Sequence, residues 1–520
     1  MKQFRNEPCT DFSKPAVRRL ADRAIIKVES ELGKEYPIVI GGKTVEAREK
    51  FRSICPADPQ RVVGIFQKAD AAIARDAVEA AFAAFQDWRF EKPAKRAAVL
   101  FKAARIMRSR RFELAAWMAF EVGKTRPQAD GEISQAIDFL EFYGREALRY
   151  AGEQPLTRIR GEKNELVYIP LGVGIVVAPW NFPVSIFTGM TAASLVCGNA
   201  VAVKPSSDSP TVGAKCFEIL QEAGLPAGVA NFVTGSGGSA GEAMIEHPKA
   251  RFVAFTGSKQ VGLRINEVVA KTAPGQVWIK RATLEMGGKN AMIVAGDADL
   301  DDAASGVVAA AYGFQGQKCT ACSRAIVVRD VYERFLSLIV PKAEAIRVGP
   351  PTSPENQMGP VINDGAMKNI LNYIEVGKRE GRLLTGGTRL PYEGFYLSPT
   401  VIADVAPDAV IAQEEIFGPV VSVIPARDYY HALQIANGTQ YGLSGSVYTR
   451  DRRKIELAKR VFHVGNLFFN RSCAGIMVGV HPLGGFNMSG TDSKTGSRDY
   501  LLHFLQAKAM SEKVRQRRQG

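Results

Sequence analysis

The strongest constraint on this chain is a series of short segments rich in Val and Ile, each separated from the next by a helical pattern. GVGIVVA, NAVAVKP, ANFVTG and RFVAFTGS follow one another between residues 172 and 258. A second series, AMIVAG, RAIVVR and VVSVIPA, falls between residues 291 and 426. A strand that is apolar at nearly every position is covered on both faces, and a helix between consecutive strands makes them parallel. The predicted fold is therefore α/β, with two successive parallel sheets. Residues 299–314 and 330–346 supply helices for the second sheet. Ahead of the first, residues 66–90, 94–121 and 132–150 repeat apolar positions at spacings of three and four, as amphipathic helices do.

Residues 166–203 contain no charged side chain and are long enough to span a bilayer. Pro170, Pro179, Pro183, Asn181 and Asn199 argue against that, because they would leave backbone groups unpaired in lipid. The segment reads instead as a buried strand, loop, helix and second strand.

Hydrophobic residues at 46% and charged residues at 23% are ordinary for a globular protein and exclude collagen-like, disordered and mucin-like chains. The length of 520 residues allows about three to four domains. A net charge of +14 raises the question of a nucleic-acid or membrane-surface partner. The basic clusters, Arg105, Arg108, Arg110 and Arg111 and then Lys513, Arg515, Arg517 and Arg518, carry no interleaved aromatic residues for base stacking. They read as solvated faces and a tail, so neither nucleic acid nor membrane is an expected partner. The start, MKQFRNEPCTDF, lacks the apolar core of a secretory signal, and a cytoplasmic location is expected. Seven cysteines cannot pair fully within one chain and read as reduced thiols. Cys319 and Cys322 form a lone CxxC among only five scattered histidines, so no metal is expected.

Several segments could carry chemistry, and each has a plainer reading. Gly235, Gly237 and Ala240 match G-x-G-x-x-[GA] after a strand, where a dinucleotide pyrophosphate can sit on a helix N-terminus; a turn fits equally well. Thr256, Gly257, Ser258 and Gly262 offer a looser version, for which a helix capped by Thr256 or Ser258 with no ligand is the plainer reading. In Gln315-Gly316-Gln317-Lys318-Cys319 the neighbouring cation should favour the nucleophilic thiolate, although a single cysteine is more often core filler. Leu284-Glu285-Met286-Gly287-Gly288-Lys289 sets a carboxylate beside two glycines that allow close approach, or only a turn. Pro179-Trp180-Asn181-Phe182-Pro183 holds an amide rigidly enough to serve a developing oxyanion, or to satisfy its own loop.

Taken together and in order, PWNFP, KPSSDSP, FTGS, LEMGGKN, GQKC, EEIFGP and PLGGFNMSG resemble the NAD(P)-dependent aldehyde dehydrogenase superfamily, over residues 7–507. Within it, NEPCTDFS, YPIVIGG, GFQGQKCTACSR and GGFNMSGTDSKTG are similar to the glutamate γ-semialdehyde dehydrogenase branch. The resemblance implies a Rossmann-like cofactor domain (residues 1–145 and 168–284), a catalytic α/β domain (285–482), and a small β oligomerisation arm with a C-terminal tail (146–167 and 483–520) that would join copies into a homo-oligomer. It also implies that Cys319 attacks the aldehyde, Asn181 and the Cys319 N–H hold the oxyanion, and Glu285 activates the hydrolytic water. Cys322 is implied to be packing.

For the cofactor, NAD, the resemblance points to Lys204 at the adenosine ribose, to Gly257, Ser258 and Gly262 at the pyrophosphate, and to Glu415 and Phe417 at the nicotinamide ribose, with Trp180 beside them. That favours the residues from Thr256 over the Gly235 pattern. Where many members carry a Glu for the ribose 2′-hydroxyl this chain has Ser207, so NADP is expected to be tolerated. The substrate acid would meet Thr320 and the loop Ala474-Gly475-Ile476, while Ile476 and Leu483 depart from the usual pocket shape. The activity implied is oxidation of glutamate γ-semialdehyde to glutamate in proline or arginine breakdown. The alternatives are another semialdehyde or a betaine aldehyde as substrate and, in a different class, a basic nucleic-acid binder.

Overall fold

The computed structural model describes residues 3–514. Arg515, Arg517 and Arg518 of the basic tail lie outside the described residues. Two seven-stranded sheets form the framework. The first runs Arg281–Glu285, Ala250–Thr256, Val173–Val177, Ala200–Lys204, Ala230–Phe232, Ile38–Ile40 and Lys43–Val45. Its first five strands are parallel, and the last two are antiparallel additions. Ala200–Lys204 is buried along its whole length, which is why its sequence is apolar up to the lysine. The second sheet runs Arg382–Thr385, Thr400–Ala403, Val420–Ala426, Cys322–Val328, Asn290–Val294, Ser444–Tyr448 and Asn466–Phe469. All its pairings are parallel except that of Arg382–Thr385 with Thr400–Ala403.

The charge-free segment forms strand, loop, helix and strand, with the helix at Ser185–Val196 buried between Val173–Val177 and Ala200–Lys204. Among the described residues no helix is long and apolar enough to cross a membrane. Several boundaries differ from expectation. Residues 66–68 end a strand, Asp58–Lys68, and the helix begins at Ala71, where the Asp70 carboxylate accepts from the Ala72 and Ile73 N–H groups. The pattern at 94–121 is two helices, Pro93–Ser109 and Arg111–Val122, separated by Arg110. One non-helical residue does not disturb an apolar period counted over a long window. The next helix starts six residues before the expected 132, at Arg126, with Thr125 and Gln128 closing a capping box.

The polar stretch 146–167 is not a hairpin with itself. Its helix continues to Tyr150, and Glu162–Pro170 pairs antiparallel with Leu505–Lys513 from the far end of the chain. Of residues 483–514, only those from Leu505 join that two-stranded arm. Tyr500, Leu501 and Phe504 are buried in the main core, so the preceding part packs with the body. The Arg105–Arg111 cluster is partly neutralised: Arg108 pairs with Glu7 and Glu141, Arg110 with Glu113 and Glu218, and Arg111 with Asp130. All seven cysteines are free.

Candidate active site

In parallel α/β sheets, ligand sites form at the carboxyl ends of the strands. Here Glu285 ends one strand of the first sheet, Thr256 ends its neighbour, and Cys319 lies just before the strand Cys322–Val328 of the second. A cavity of about 300 Å³ lies between them, and Cys319, Thr320, Glu285, Gly475, Ile476 and Leu483 all line it. Phe182, Ile186, Met190 and Phe255 complete an apolar wall. Asn181 and the expected cofactor residues Trp180, Lys204, Ser207, Gly257, Ser258, Gly262, Glu415 and Phe417 are not part of this lining.

The turn that delivers Cys319 is strained. Phe314 and Gln315 hold φ of 55° and 57°, and Gly316 holds 69°. Left-handed non-glycine residues persist only when their surroundings over-determine them. Gln315, wholly buried, supplies that restraint: its Nε2 donates to the carbonyls of Gly123 (3.3 Å) and Pro360 (2.6 Å), and its Oε1 accepts from Gly359 N–H (3.2 Å). Gln317 Oε1 accepts from Ile362 N–H at 2.9 Å. Gly316 has no alternative, since a Cβ there would lie 2.2 Å from the Gly418 carbonyl oxygen. The Cys319 carbonyl accepts from Asn290 Nδ2 at 2.7 Å. Gln315, Gln317 and Asn290 were not singled out in the sequence, where only their proximity to the cysteine or to LEMGGK hinted at a role.

Asn181 is buried, and its Nδ2 donates to the Gln317 carbonyl at 3.0 Å, tying the PWNFP loop to the cysteine turn. An amide nitrogen has two N–H bonds, so one remains for an oxygen on a reacting carbon. Glu285 is buried; its Oε1 accepts from Ser493 Oγ at 2.5 Å, whereas Oε2 has no hydrogen-bond partner among the described residues. Burial pushes the Glu285 carboxyl up to about 8, against the lowering effect of Ser493. Ser493 is a further site residue that the sequence did not flag.

The expectation that Lys318 would favour the thiolate fails. Burial pushes the Cys319 thiol up to about 12, and the nearby carboxylates Glu415 and Glu285 add to the rise. The same burial, with Lys124 nearby, pulls the Lys318 ammonium down to about 8. Removing the thiol from water costs more than the adjacent cation returns.

Of the expected cofactor residues, Lys204 ends the strand Ala200–Lys204 of the first sheet and Gly257 directly follows the strand Ala250–Thr256 of the same sheet. Lys204 is 4% exposed, and its ammonium makes one hydrogen bond, to the Pro205 carbonyl at 3.2 Å. Burial pulls it down to about 8. Ser207 Oγ donates to the Gly235 carbonyl at 3.3 Å, so the Gly235 loop meets the Lys204 loop directly. Gly237 and Gly238 border open space. Ser258 caps the helix Lys259–Ala270, as the plainer reading held. Gly257 and Gly262 pack closely, since a Cβ would fall 2.5 Å from the Phe255 ring or 2.4 Å from Met286 Sδ and would oblige those side chains to move. Nearer the cysteine, Glu415 Oε1 accepts from Gly288 N–H at 3.0 Å, and a Cβ on Gly287 would lie 2.0 Å from Oε2. The glycines after Glu285 thus admit the Glu415 carboxylate, which burial pushes up to about 7. Phe417, at φ 57°, packs edge-on to Trp180 at 5.6 Å. An ammonium with spare donors beside an open glycine loop, and a capped helix start, suit a dinucleotide with hydroxyl and phosphate groups.

Two parallel α/β sheets whose strand ends enclose a cavity lined by a cysteine and a buried glutamate make up this α/β enzyme, and the chain belongs to the aldehyde dehydrogenase family, whose profile matches residues 44–510. It is 51% identical over 512 residues to 1-pyrroline-5-carboxylate dehydrogenase of Geobacillus thermodenitrificans, covering 98% of this chain and 99% of that one. Its fold matches 1-pyrroline-5-carboxylate dehydrogenase from Thermus with bound NAD at a TM-score of 0.97 and 49% identity, over 99% of both chains. A betaine aldehyde dehydrogenase from Staphylococcus aureus in complex with NAD+ is more distant, with a TM-score of 0.89 and 27% identity over 96% of this chain and 98% of that one.

Proposed function

We propose that this chain oxidises L-glutamate γ-semialdehyde, the open form of 1-pyrroline-5-carboxylate, to L-glutamate with NAD. The observation that carries the reading is the cavity that joins Cys319 to Glu285, in a chain about half identical, end to end, to enzymes of that name. The Cys319 thiol releases its proton to solvent and its sulfur forms a C–S bond to the aldehyde carbon, as the C=O π pair moves onto oxygen. The free N–H of Asn181, with the Cys319 backbone N–H, holds the oxygen of the resulting thiohemiacetal. Bound NAD supplies the acceptor for the hydride that leaves this carbon. Glu285 then takes a proton from water, which attacks the Cys319 thioester; the C–S bond breaks, releasing the acid, and the departing sulfur takes the proton from Glu285, restoring the thiol and the base.

Lys204 would bind the adenosine ribose, the loop from Gly257 and Ser258 to Gly262 the pyrophosphate, and Glu415 and Phe417 the nicotinamide ribose, with Trp180 packed behind. Ser207 brings no negative charge toward a 2′-phosphate, which supports use of NADP beside NAD. Thr320 and the backbone at Gly475 would receive the substrate carboxylate, and Ile476 and Leu483 would shape its pocket. Residues 1–145 with 168–284 would act as the cofactor domain and 285–482 as the catalytic one. The exposed arm of Glu162–Pro170 and Leu505–Lys513 would join copies of the chain, in the cytoplasm.

Steady-state kinetics with glutamate γ-semialdehyde, succinic semialdehyde and betaine aldehyde, each with NAD and NADP, test this reading. The highest kcat/KM is expected for glutamate γ-semialdehyde. Equal efficiency with succinic semialdehyde or betaine aldehyde would overturn the substrate assignment.

A further inference from the structure

The loop after PLGGF is laced to the strand that ends in Glu285. Met286 N–H donates to the Ser489 carbonyl (2.8 Å), Thr491 N–H to the Leu284 carbonyl (2.9 Å), and Leu284 N–H to Thr491 Oγ1 (3.0 Å). Gly490, at φ 155°, lets the two segments touch, because a Cβ there would sit 2.5 Å from the Leu284 carbonyl oxygen. This lacing brings Ser493, 2% exposed, to the glutamate, where its hydroxyl donates to Oε1 at 2.5 Å. The partner oxygen, Oε2, is buried and unpaired in a residue that shares the cavity with Cys319. One carboxylate oxygen is held and the other left free, the arrangement a base needs if a water is to be aligned for attack.

We propose that Ser493 is the positioning residue of the hydrolytic step: its hydroxyl holds Glu285 Oε1 so that Oε2 is free and aimed for the water that cleaves the Cys319 thioester. The inference rests on the proposed role of Glu285 as base. Other titratable groups facing Glu285 are Cys319, Tyr500 and Lys494. Lys494 Nζ is occupied by the Gly465 and Gly484 carbonyls and by Asp492, so it acts on the carboxylate only through its charge. His503 meets the Ser493 carbonyl at 3.1 Å, on the backbone and not on the hydroxyl.

The test needs no cofactor. p-Nitrophenyl acetate acylates Cys319, forming the C–S bond and releasing p-nitrophenolate as a burst; water then cleaves the acetyl thioester in the steady state. In Ser493→Ala the burst is expected to persist, while the rising limb of the deacylation pH profile moves up by about one unit, because a hydrogen bond that favours the charged carboxylate is gone. Below the limb, deacylation slows about tenfold. Ser493→Thr, which keeps the hydroxyl, is expected to return the limb toward its original position. An unmoved limb in Ser493→Ala overturns the proposal, and so does loss of the burst, since the effect would then not be confined to hydrolysis. Full deacylation in Glu285→Gln would instead remove the base assignment itself; a blocked Glu285→Gln beside an unshifted Ser493→Ala removes only the role of Ser493.

Discussion

Gln315 offers the sharpest link between fold and chemistry, because it is wholly buried yet touches no atom that reacts. Gln315→Met keeps the side chain's approximate volume and deletes its three hydrogen bonds, to the Gly123 and Pro360 carbonyls and from Gly359 N–H. At about 1 kcal/mol net for each bond, the loss is about 3 kcal/mol, and leaving buried backbone groups unpaired adds to it. The restrained turn stores strain at Phe314 and Gln315, whose φ values are 55° and 57°, at about 1–3 kcal/mol for each residue. Restraint and strain are therefore of similar size, and removing the first lets the turn relax. Cys319 lies four residues on, and a displacement of about 1 Å at a nucleophile costs roughly a hundredfold in rate. The expected outcome is a kcat lower by roughly a hundredfold, with a urea unfolding free energy lower by less than about 3 kcal/mol, because strain released in the turn offsets part of the lost hydrogen bonding. Wild-type stability together with wild-type kcat in Gln315→Met would refute the view that this side chain holds the turn.

Asn181→Ala removes one oxyanion donor and should lower kcat by about a hundredfold to a thousandfold with little change in KM; steady-state kinetics showing an undiminished kcat would exclude that role. The Glu285 carboxyl, pushed up to about 8 by burial, is mostly protonated at neutral pH and gains its basic form as pH rises. Single-turnover hydrolysis of the thioester should accordingly accelerate through pH 8 and then level, and a flat profile would contradict a base in this environment. Ser207→Glu brings a negative charge to the proposed 2′-phosphate position and should weaken NADP by about tenfold or more while sparing NAD; parallel KM measurements with the two cofactors check it.

Much of the framework was legible in the sequence because buried parallel strands are locally apolar, as in Ala200–Lys204. The central strands of both sheets, including those that end at Lys204 and Thr256 and the one from Cys322, follow from such runs, whereas Arg281–Glu285, with the polar sequence RATLE, and the outer strands do not. The motifs were legible for a related reason: Gly316, Gly257 and Gly262 face backbone or side chains too close for a Cβ. What stayed hidden depends on contacts far apart along the chain. Gln315 clamps Gly123 and Ser493 holds Glu285, across 192 and 208 residues. The strand Glu162–Pro170 finds its partner only at Leu505–Lys513, a pairing that no local pattern reveals. Lys318 misled because adjacency suggests a Coulomb effect but says nothing of burial, which dominates the Cys319 thiol.

The central claim is that an acyl group passes through Cys319 and is released by Glu285. Glu285→Gln mixed with glutamate γ-semialdehyde and NAD, quenched in acid and digested for mass spectrometry, tests it directly. The expected result is a glutamyl thioester that accumulates on the peptide carrying Cys319, accompanied by a burst of NADH without sustained turnover. An unmodified Cys319 peptide during normal turnover, or an acyl group on a different cysteine, would contradict the mechanism.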